Sequence, residues 1–315
     1  SAIDKIFYMN WFLILIISLI ASFGFIMLYS AANCMGAQLC VEKSGSLTPW
    51  ALPQMLRFGL GLLLIFALTI LDTRLILKYA YPIYFITLIL LIYVEMKGHI
   101  GMGAQRWIKL WGFQLQPSEI MKLSLVVALA RFFHASTPEE TQSTIHIFPA
   151  ILLIMVPTLF VLKQPDLGTA ITLLGLGGLV LFIAGVQWWK FAIVLGLFLI
   201  AAPLIYKYGL HDYQRARILI FLDPASDPTG SGYNILQALI ALGSGGFLGK
   251  GLLNGTQGYL NFVPEKQTDF IFTMLAEELG MFGGLILLLL YACVLVIGYD
   301  IALKSKSQFG KFLAL

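Results

Sequence analysis

The chain alternates long apolar runs with short polar joints. Eight runs, at residues 11–29, 52–71, 79–95, 117–134, 147–163, 168–186, 191–206 and 270–299, reach or approach the length of a spanning helix, which is about 20 mostly apolar residues. The pattern predicts an all-α fold, a polytopic helical bundle embedded in a membrane. The fourth run carries Glu119, Lys122 and Arg131, so it must face other protein or a wet cavity and not lipid. The sixth is dotted with Gly168, Gly175, Gly177, Gly178 and Gly185, a spacing that suits close helix packing in a bilayer. The last is long enough for a tilted or kinked helix and contains Gly280, Gly283 and Gly284.

Between the seventh and eighth runs lies a long segment, residues 207–269, with Asp212, Asp223, Asp227, Glu265 and Asp269. Within it Ile235, Leu236, Leu239, Ile240 and Leu242 recur at helical spacing, which predicts an amphipathic helix lying on the membrane surface. Long ordered loops commonly carry function.

Composition sharpens this picture. Hydrophobic residues make up 59% and charged residues only 11% of the 315 residues. So few charges cannot cover a water-exposed surface, which excludes a soluble globular enzyme, and so much apolar surface excludes a disordered chain. Lys and Arg number 20 against 16 Asp and Glu. They are spread one or two per loop, which reads as membrane topology and not as a nucleic-acid footprint. The short loops favour a cytoplasmic N-terminus, with Lys5, Arg74, Lys78, Arg131, Lys190, Lys304, Lys306 and Lys311 inside against Lys43, Lys97, Arg106, Lys109 and Lys163 outside. The long loop is then extracytoplasmic. No cleavable signal is expected, because the run from Trp11 is long enough to span. Cys34 and Cys40 share one polar loop and suit a disulfide if that loop meets an oxidising compartment, whereas Cys293 reads as inert packing. The four histidines show no metal-ligand spacing.

On this topology three polar segments meet at the outer face. They are residues 103–107 with 116–119, residues 164–169, and the stretch from Tyr213 to Phe270. Each acid stands at the mouth of an apolar helix, where desolvation tunes a carboxylate towards general-base work unless a cation offsets it. Each also has a structural reading. Asp269 and Asp166 are placed to cap the helices that follow them. Glu119 and Lys122, three apart, suit an ion pair on one helix face. Residues 243–246 with Lys250 resemble a phosphate cradle but follow no strand, so a turn is the simpler reading. Glu277 and Glu278 lie within the last run, where at least one needs a polar partner. These features alone fit an enzyme acting on an anionic lipid, or a transporter.

The motifs resemble a known family more specifically. Gly-Ala-Gln-Arg-Trp at 103–107, Gln-Pro-Ser-Glu-Ile-Met-Lys at 116–122, Gln-Pro-Asp-Leu-Gly-Thr-Ala at 164–170 and Pro-Glu-Lys-Gln-Thr-Asp-Phe-Ile-Phe at 264–272 look like the signature blocks of the SEDS family (shape, elongation, division and sporulation). Residues 212–215, Asp223-Pro224, Asp227-Pro228, 249–251 and 255–257 look more like its RodA branch than its FtsW branch. The resemblance implies a peptidoglycan glycosyltransferase of the bacterial inner membrane that polymerises lipid II during cell elongation. Its implied companions are a class B penicillin-binding protein transpeptidase and other membrane proteins of the elongation machinery. It implies that Asp269 is the essential acid, and that Arg106, Asp166, Arg215 and Lys250 bind substrate or stabilise its pyrophosphate. Glu119 and Lys122 are the implied coupling pair, and a divalent cation, Mg or Mn, is the implied cofactor. The family usually has ten spans, so a single domain over residues 1–315 would hold eight, with 308–315 entering a ninth. A lipid-linked precursor flippase and a non-catalytic scaffold are the competing classes.

Overall fold

The computed structural model describes residues 2–33, 47–101, 104–110, 113–209, 212–227, 230–256 and 265–314. Cys34, Cys40, Gly103, His211, Pro228 and the motif residues 257–264 lie outside the described residues. The described chain forms two compact units, Ser1–Ile70 with Ile200–Ile297, and Leu71–Leu199 with Gly298–Leu315.

The first unit begins with the short helix α1 (Ala2–Phe7), followed by α2 (Trp11–Ala32) and α3 (Ala51–Ile70). Asn10 caps α2 by accepting the Leu13 amide at 3.1 Å, and Phe25 meets Phe58 edge-on with ring centroids 5.7 Å apart. The second unit opens with α4 (Thr73–Lys97), whose N-cap Asp72 accepts the amide of Arg74. Next come α5 (Pro117–His134), α6 (Pro138–Gln142), α7 (Thr144–Lys163) and α8 (Leu167–Ile183). Helix α9 (Trp188–Leu204) runs into a π-helical turn, Ile205–Gly209. The first unit then resumes with α10 (Asp212–Leu222) and α11 (Ser231–Gly245). Helix α12 covers Ile271–Lys304, and α13 covers Gln308–Ala314.

Every apolar run of the sequence is a helix. Among the described residues, six helices are long and apolar enough to cross a bilayer. The two that fall short are explained by burial and length. Helix α5 forms much of the core of its unit, with Met121, Leu125, Ala128, Leu129 and Ala130 fully inaccessible, and it carries Glu119, Lys122 and Arg131. Helix α8 has 17 residues. It is pressed to α7 at Gly177, where a Cβ would lie 2.6 Å from the Ile154 side chain. Gly175 and Gly178 face open space, so one glycine of the five sets that packing distance. Buried polar groups in this core are paired: Tyr84 donates to the carbonyl of Leu153 at 2.8 Å, and Thr87 and Ser124 share a 2.8 Å hydrogen bond.

Two features depart from the sequence reading, and a third, the amphipathic helix of the long loop, agrees with it. A small antiparallel sheet, β1 (His99–Gly101), β2 (Ala104–Leu110) and β3 (Phe113–Leu115) in the order β1-β2-β3, interrupts the otherwise helical chain. Helix α11 turns its small residues inward, with Ala241 1% accessible, and leaves Leu239 and Ile240 exposed. Large apolar side chains on its outer face are what lipid contact requires. Cys293 is exposed on α12 and not packed in a core.

Candidate active site

Asp269 sits in a turn at residues 265–270, directly before α12. Glu265 closes that turn: its carbonyl accepts the Thr268 amide at 3.0 Å and the Phe270 amide at 3.4 Å. Helix α12 starts only at Ile271, so Asp269 is not its cap. Among the described residues the Asp269 carboxylate is exposed and has no hydrogen bond or ion pair. The capping explanation therefore falls away, and an acid without a structural task remains. Lys266, in the same turn, is only 8% accessible, and burial pushes its ammonium below the usual lysine pKa.

The turn borders a cavity of about 480 Å³. Its walls include Gly24, Phe25 and Leu28 of α2 and Phe58 of α3, and its polar lining includes Gln54, Arg57, Gln267 and Thr268. Arg57 was not singled out from the sequence, because it is one charge inside a run that otherwise reads as a span. That isolation was the available signal, since an ionisable residue within a spanning helix marks function by default. Among the described residues its guanidinium has no partner.

The second unit brings Arg106 and Asp166 together. Strand β2 presents Arg106, which donates to the carbonyls of Gln164 at 3.1 Å and Pro165 at 2.6 Å. Its Nη1 lies 3.8 Å from Oδ2 of Asp166. Asp166 also caps α8, accepting the amide of Thr169 at 3.2 Å and its hydroxyl at 2.9 Å. Glu119 and Lys122 form the expected ion pair at 2.8 Å, with the Glu119 side chain 55% accessible. The segments around Arg106 and Asp166 thus meet in one unit, while Asp269, Arg215 and Lys250 belong to the other. Arg215 on α10 donates to the carbonyl of Lys207 at 2.8 Å.

Lys250 has a different environment from the one its sequence neighbours suggest. Its Nζ lies 2.7 Å from Oε1 of Glu277 and 2.8 Å from the Thr256 hydroxyl. Glu277 and Glu278 are both wholly inaccessible. Glu278 accepts from the Ser30 hydroxyl and from the Leu253 amide. Both acids of the last run therefore have polar partners, as the cost of burying a charge demands.

A profile of cell cycle proteins that spans FtsW, RodA and SpoVE matches residues 10–315. The chain belongs to that family. The peptidoglycan glycosyltransferase MrdB of Escherichia coli K12 is 43% identical over 259 residues, covering 82% of this chain and 69% of MrdB. A probable peptidoglycan glycosyltransferase FtsW of Trichlorobacter lovleyi is 35% identical over 307 residues, covering 96% of this chain and 78% of its own. Among solved structures, a chain of a peptidoglycan synthase complex that coordinates polymerization and crosslinking superposes with a TM-score of 0.77 at 29% identity. That match covers 98% of this chain and 82% of the other. RodA of Thermus thermophilus superposes with a TM-score of 0.65 at 26% identity, covering 98% and 79%. Membership in the FtsW/RodA/SpoVE family, with six helices able to cross a bilayer, makes this a multi-pass membrane protein.

Proposed function

We propose that this protein is a peptidoglycan glycosyltransferase that polymerises lipid II, with Asp269 as the general base. The observation that carries the reading is the unpartnered carboxylate of Asp269 in the turn beside the 480 Å³ cavity. Glycosyl transfer between lipid-linked sugars needs a group that accepts the proton of the acceptor hydroxyl. As that proton reaches the Asp269 carboxylate, the oxygen bonds to the donor's anomeric carbon, and the bond from that carbon to the pyrophosphate oxygen breaks. Undecaprenyl pyrophosphate leaves with the electron pair. General-base assistance of this kind contributes roughly 10²- to 10⁴-fold in rate.

Negative charge grows on the leaving pyrophosphate, and cations aimed at it stabilise the transition state. Arg57 suits that role, since it lines the cavity that Gln267 and Thr268 of the Asp269 turn also border, and its guanidinium binds no other described group. Apolar walls from Phe25, Leu28 and Phe58 suit the isoprenoid chain beside it. Arg106 and Lys250 are each held from two sides by protein groups of their own unit, so each suits a structural role in that unit. Arg215 on α10 supplies further positive charge within the long loop.

A divalent cation fits this chain only in part. No group of three His, Cys, Asp or Glu gathers among the described residues. Magnesium is commonly held by one or two carboxylates together with substrate phosphates, and Asp269 suits such a shared shell. Bound that way, the ion would neutralise charge on the pyrophosphate.

The reading also places the protein in the bacterial inner membrane with its N-terminus in the cytoplasm and the Asp269 turn outside. Its partner would be a class B penicillin-binding protein transpeptidase, supported by the likeness to a complex that couples polymerization to crosslinking. Glu119, half-exposed on α5, and the more covered Lys122 paired to it suit the coupling contact. The test is incubation of the purified protein, with that partner and magnesium, on lipid II. Glycan strands are expected; translocation of fluorescent lipid II across liposomes without polymer would contradict the reading.

A further inference from the structure

The 34-residue helix α12 is broken at Gly280, whose φ of 68° and ψ of −168° are not helical. The residues after the break, 281–304, are long enough to cross a bilayer on their own. The stretch before it, 271–279, is a separate half-helix that begins two residues after Asp269. A break at this position leaves carbonyls and amides without helical partners, and such groups must be satisfied where water is scarce.

The glycine-rich loop after α11 satisfies them. The amides of Lys250 and Gly251 donate to the carbonyls of Glu277 and Glu278 at 3.0 and 2.9 Å. On the other side of the break, the amides of Met281 and Phe282 donate to the carbonyls of Gly246 and Phe247 at 2.9 and 3.1 Å. The loop can come this close only because positions 245 and 249 are glycine. A Cβ at Gly249, itself at φ 78°, would lie 2.2 Å from the Glu278 carbonyl oxygen, and one at Gly245 would lie 2.1 Å from that of Ala276.

Side chains add a second set of ties to the same half-helix. Lys250 holds Glu277 through both its amide and its ammonium, and Thr256 donates to the same carboxylate oxygen at 3.1 Å. Glu278 reaches the other way, to Ser30 on α2 and to the Leu253 amide. Burying a carboxylate is costly, and at Glu277 the Lys250 ammonium and the Thr256 hydroxyl offset that cost in one fixed geometry. No group in the reaction outlined above requires either glutamate.

We infer that the Lys250–Glu277 pair is a latch that positions the half-helix leading out of the Asp269 turn. In this role Lys250 and Glu277 are positioning residues that act through the placement of Asp269. The latch rests on the reading of Asp269 as the base, and its geometry can be tested separately from turnover.

Two measurements on the full chain test it. In kinetics with lipid II, Lys250→Met and Glu277→Gln each lower kcat about 10- to 100-fold, as sub-ångström to ångström misplacement does, with KM unchanged. The double variant is no slower than the worse single, because both removals undo one tie. In a background with Cys34, Cys40 and Cys293 changed to serine, nitroxides on Thr268→Cys and on the exposed Leu288→Cys report the distance across the break. That distance distribution broadens in Lys250→Met. If Glu277→Gln does not fold, the double variant, which removes both charges of the pair, is measured in its place. An unchanged distance distribution, a raised KM in Lys250→Met, or multiplicative losses in the double variant would overturn the latch. A broadened distribution together with a fully active Asp269→Asn protein would keep the latch and remove the base.

Discussion

Arg106 reaches from strand β2 across the start of α8 and binds three successive residues, with its Nη1 3.8 Å from the Asp166 carboxylate and its other nitrogens on the carbonyls of Gln164 and Pro165. One guanidinium thus fixes a turn whose aspartate also caps the next helix. Charge-assisted hydrogen bonds are worth roughly 1.5–3 kcal/mol each, less where water screens them. Arg106→Gln is therefore expected to lower stability by about 1–2 kcal/mol in total. A thermal melt in detergent should show a Tm lower by a few degrees, and an unchanged Tm would mean the clamp is not structural.

Gly280 is the backbone pivot of α12. Its φ of 68° belongs to the left-handed region, and a Cβ there would lie 2.3 Å from the Gly249 amide nitrogen. Left-handed backbone alone costs a residue with a side chain about 1–2 kcal/mol, and the collision with backbone adds to it. Gly280→Ala is expected to reduce the yield of folded protein sharply in size-exclusion profiles. Gly284→Ala, where the nearest atom to a new Cβ is the Phe272 ring at 3.4 Å, should be the milder of the two.

Arg57 provides the separation of binding from chemistry. If its guanidinium holds the pyrophosphate, Arg57→Gln should raise KM for lipid II and also lower kcat, because charge builds on that group in the transition state. The loss in kcat/KM is expected to be on the order of 10²-fold, as for removal of one such donor. Steady-state polymerisation kinetics decide it, and an unaltered kcat/KM would remove Arg57 from the site.

Lys266 gives the protein an alkaline signature. Burial lowers its pKa from 10.5, so the folded chain binds this proton less readily than the unfolded chain does. Stability then rises with pH through the window between the folded value and 10.5. Melts taken in alkaline buffers across that window should show this gain in the parent protein and its loss in Lys266→Met.

Much of this was legible from residue order, for a physical reason. A bilayer demands long apolar runs, so the eight long helices α2–α5, α7–α9 and α12 could be read from the sequence, and an over-long run with glycines signalled the break that lies at Gly280. Asp166 as a cap and Glu119 with Lys122 as an ion pair follow from spacing along one helix. Contacts between distant segments were hidden. Nothing local to residues 243–251 says that their glycines admit the carbonyls of Ala276 and Glu278, or that Lys250 pairs with Glu277 and not with a phosphate. Arg57 was masked by the apolar run around it, and the β1–β3 sheet by strands of three to seven residues.

The central claim is that the Asp269 carboxylate takes the acceptor's proton. Asp269→Asn keeps the size of the side chain and removes its basicity, and no described contact depends on the charge. The direct measurement is the rate of lipid II polymerisation by this variant beside the parent protein, with the same partner and magnesium, after both give the same melting curve. A fall of roughly 10²- to 10⁴-fold in kcat is expected. Polymerisation at the parent rate would contradict the account.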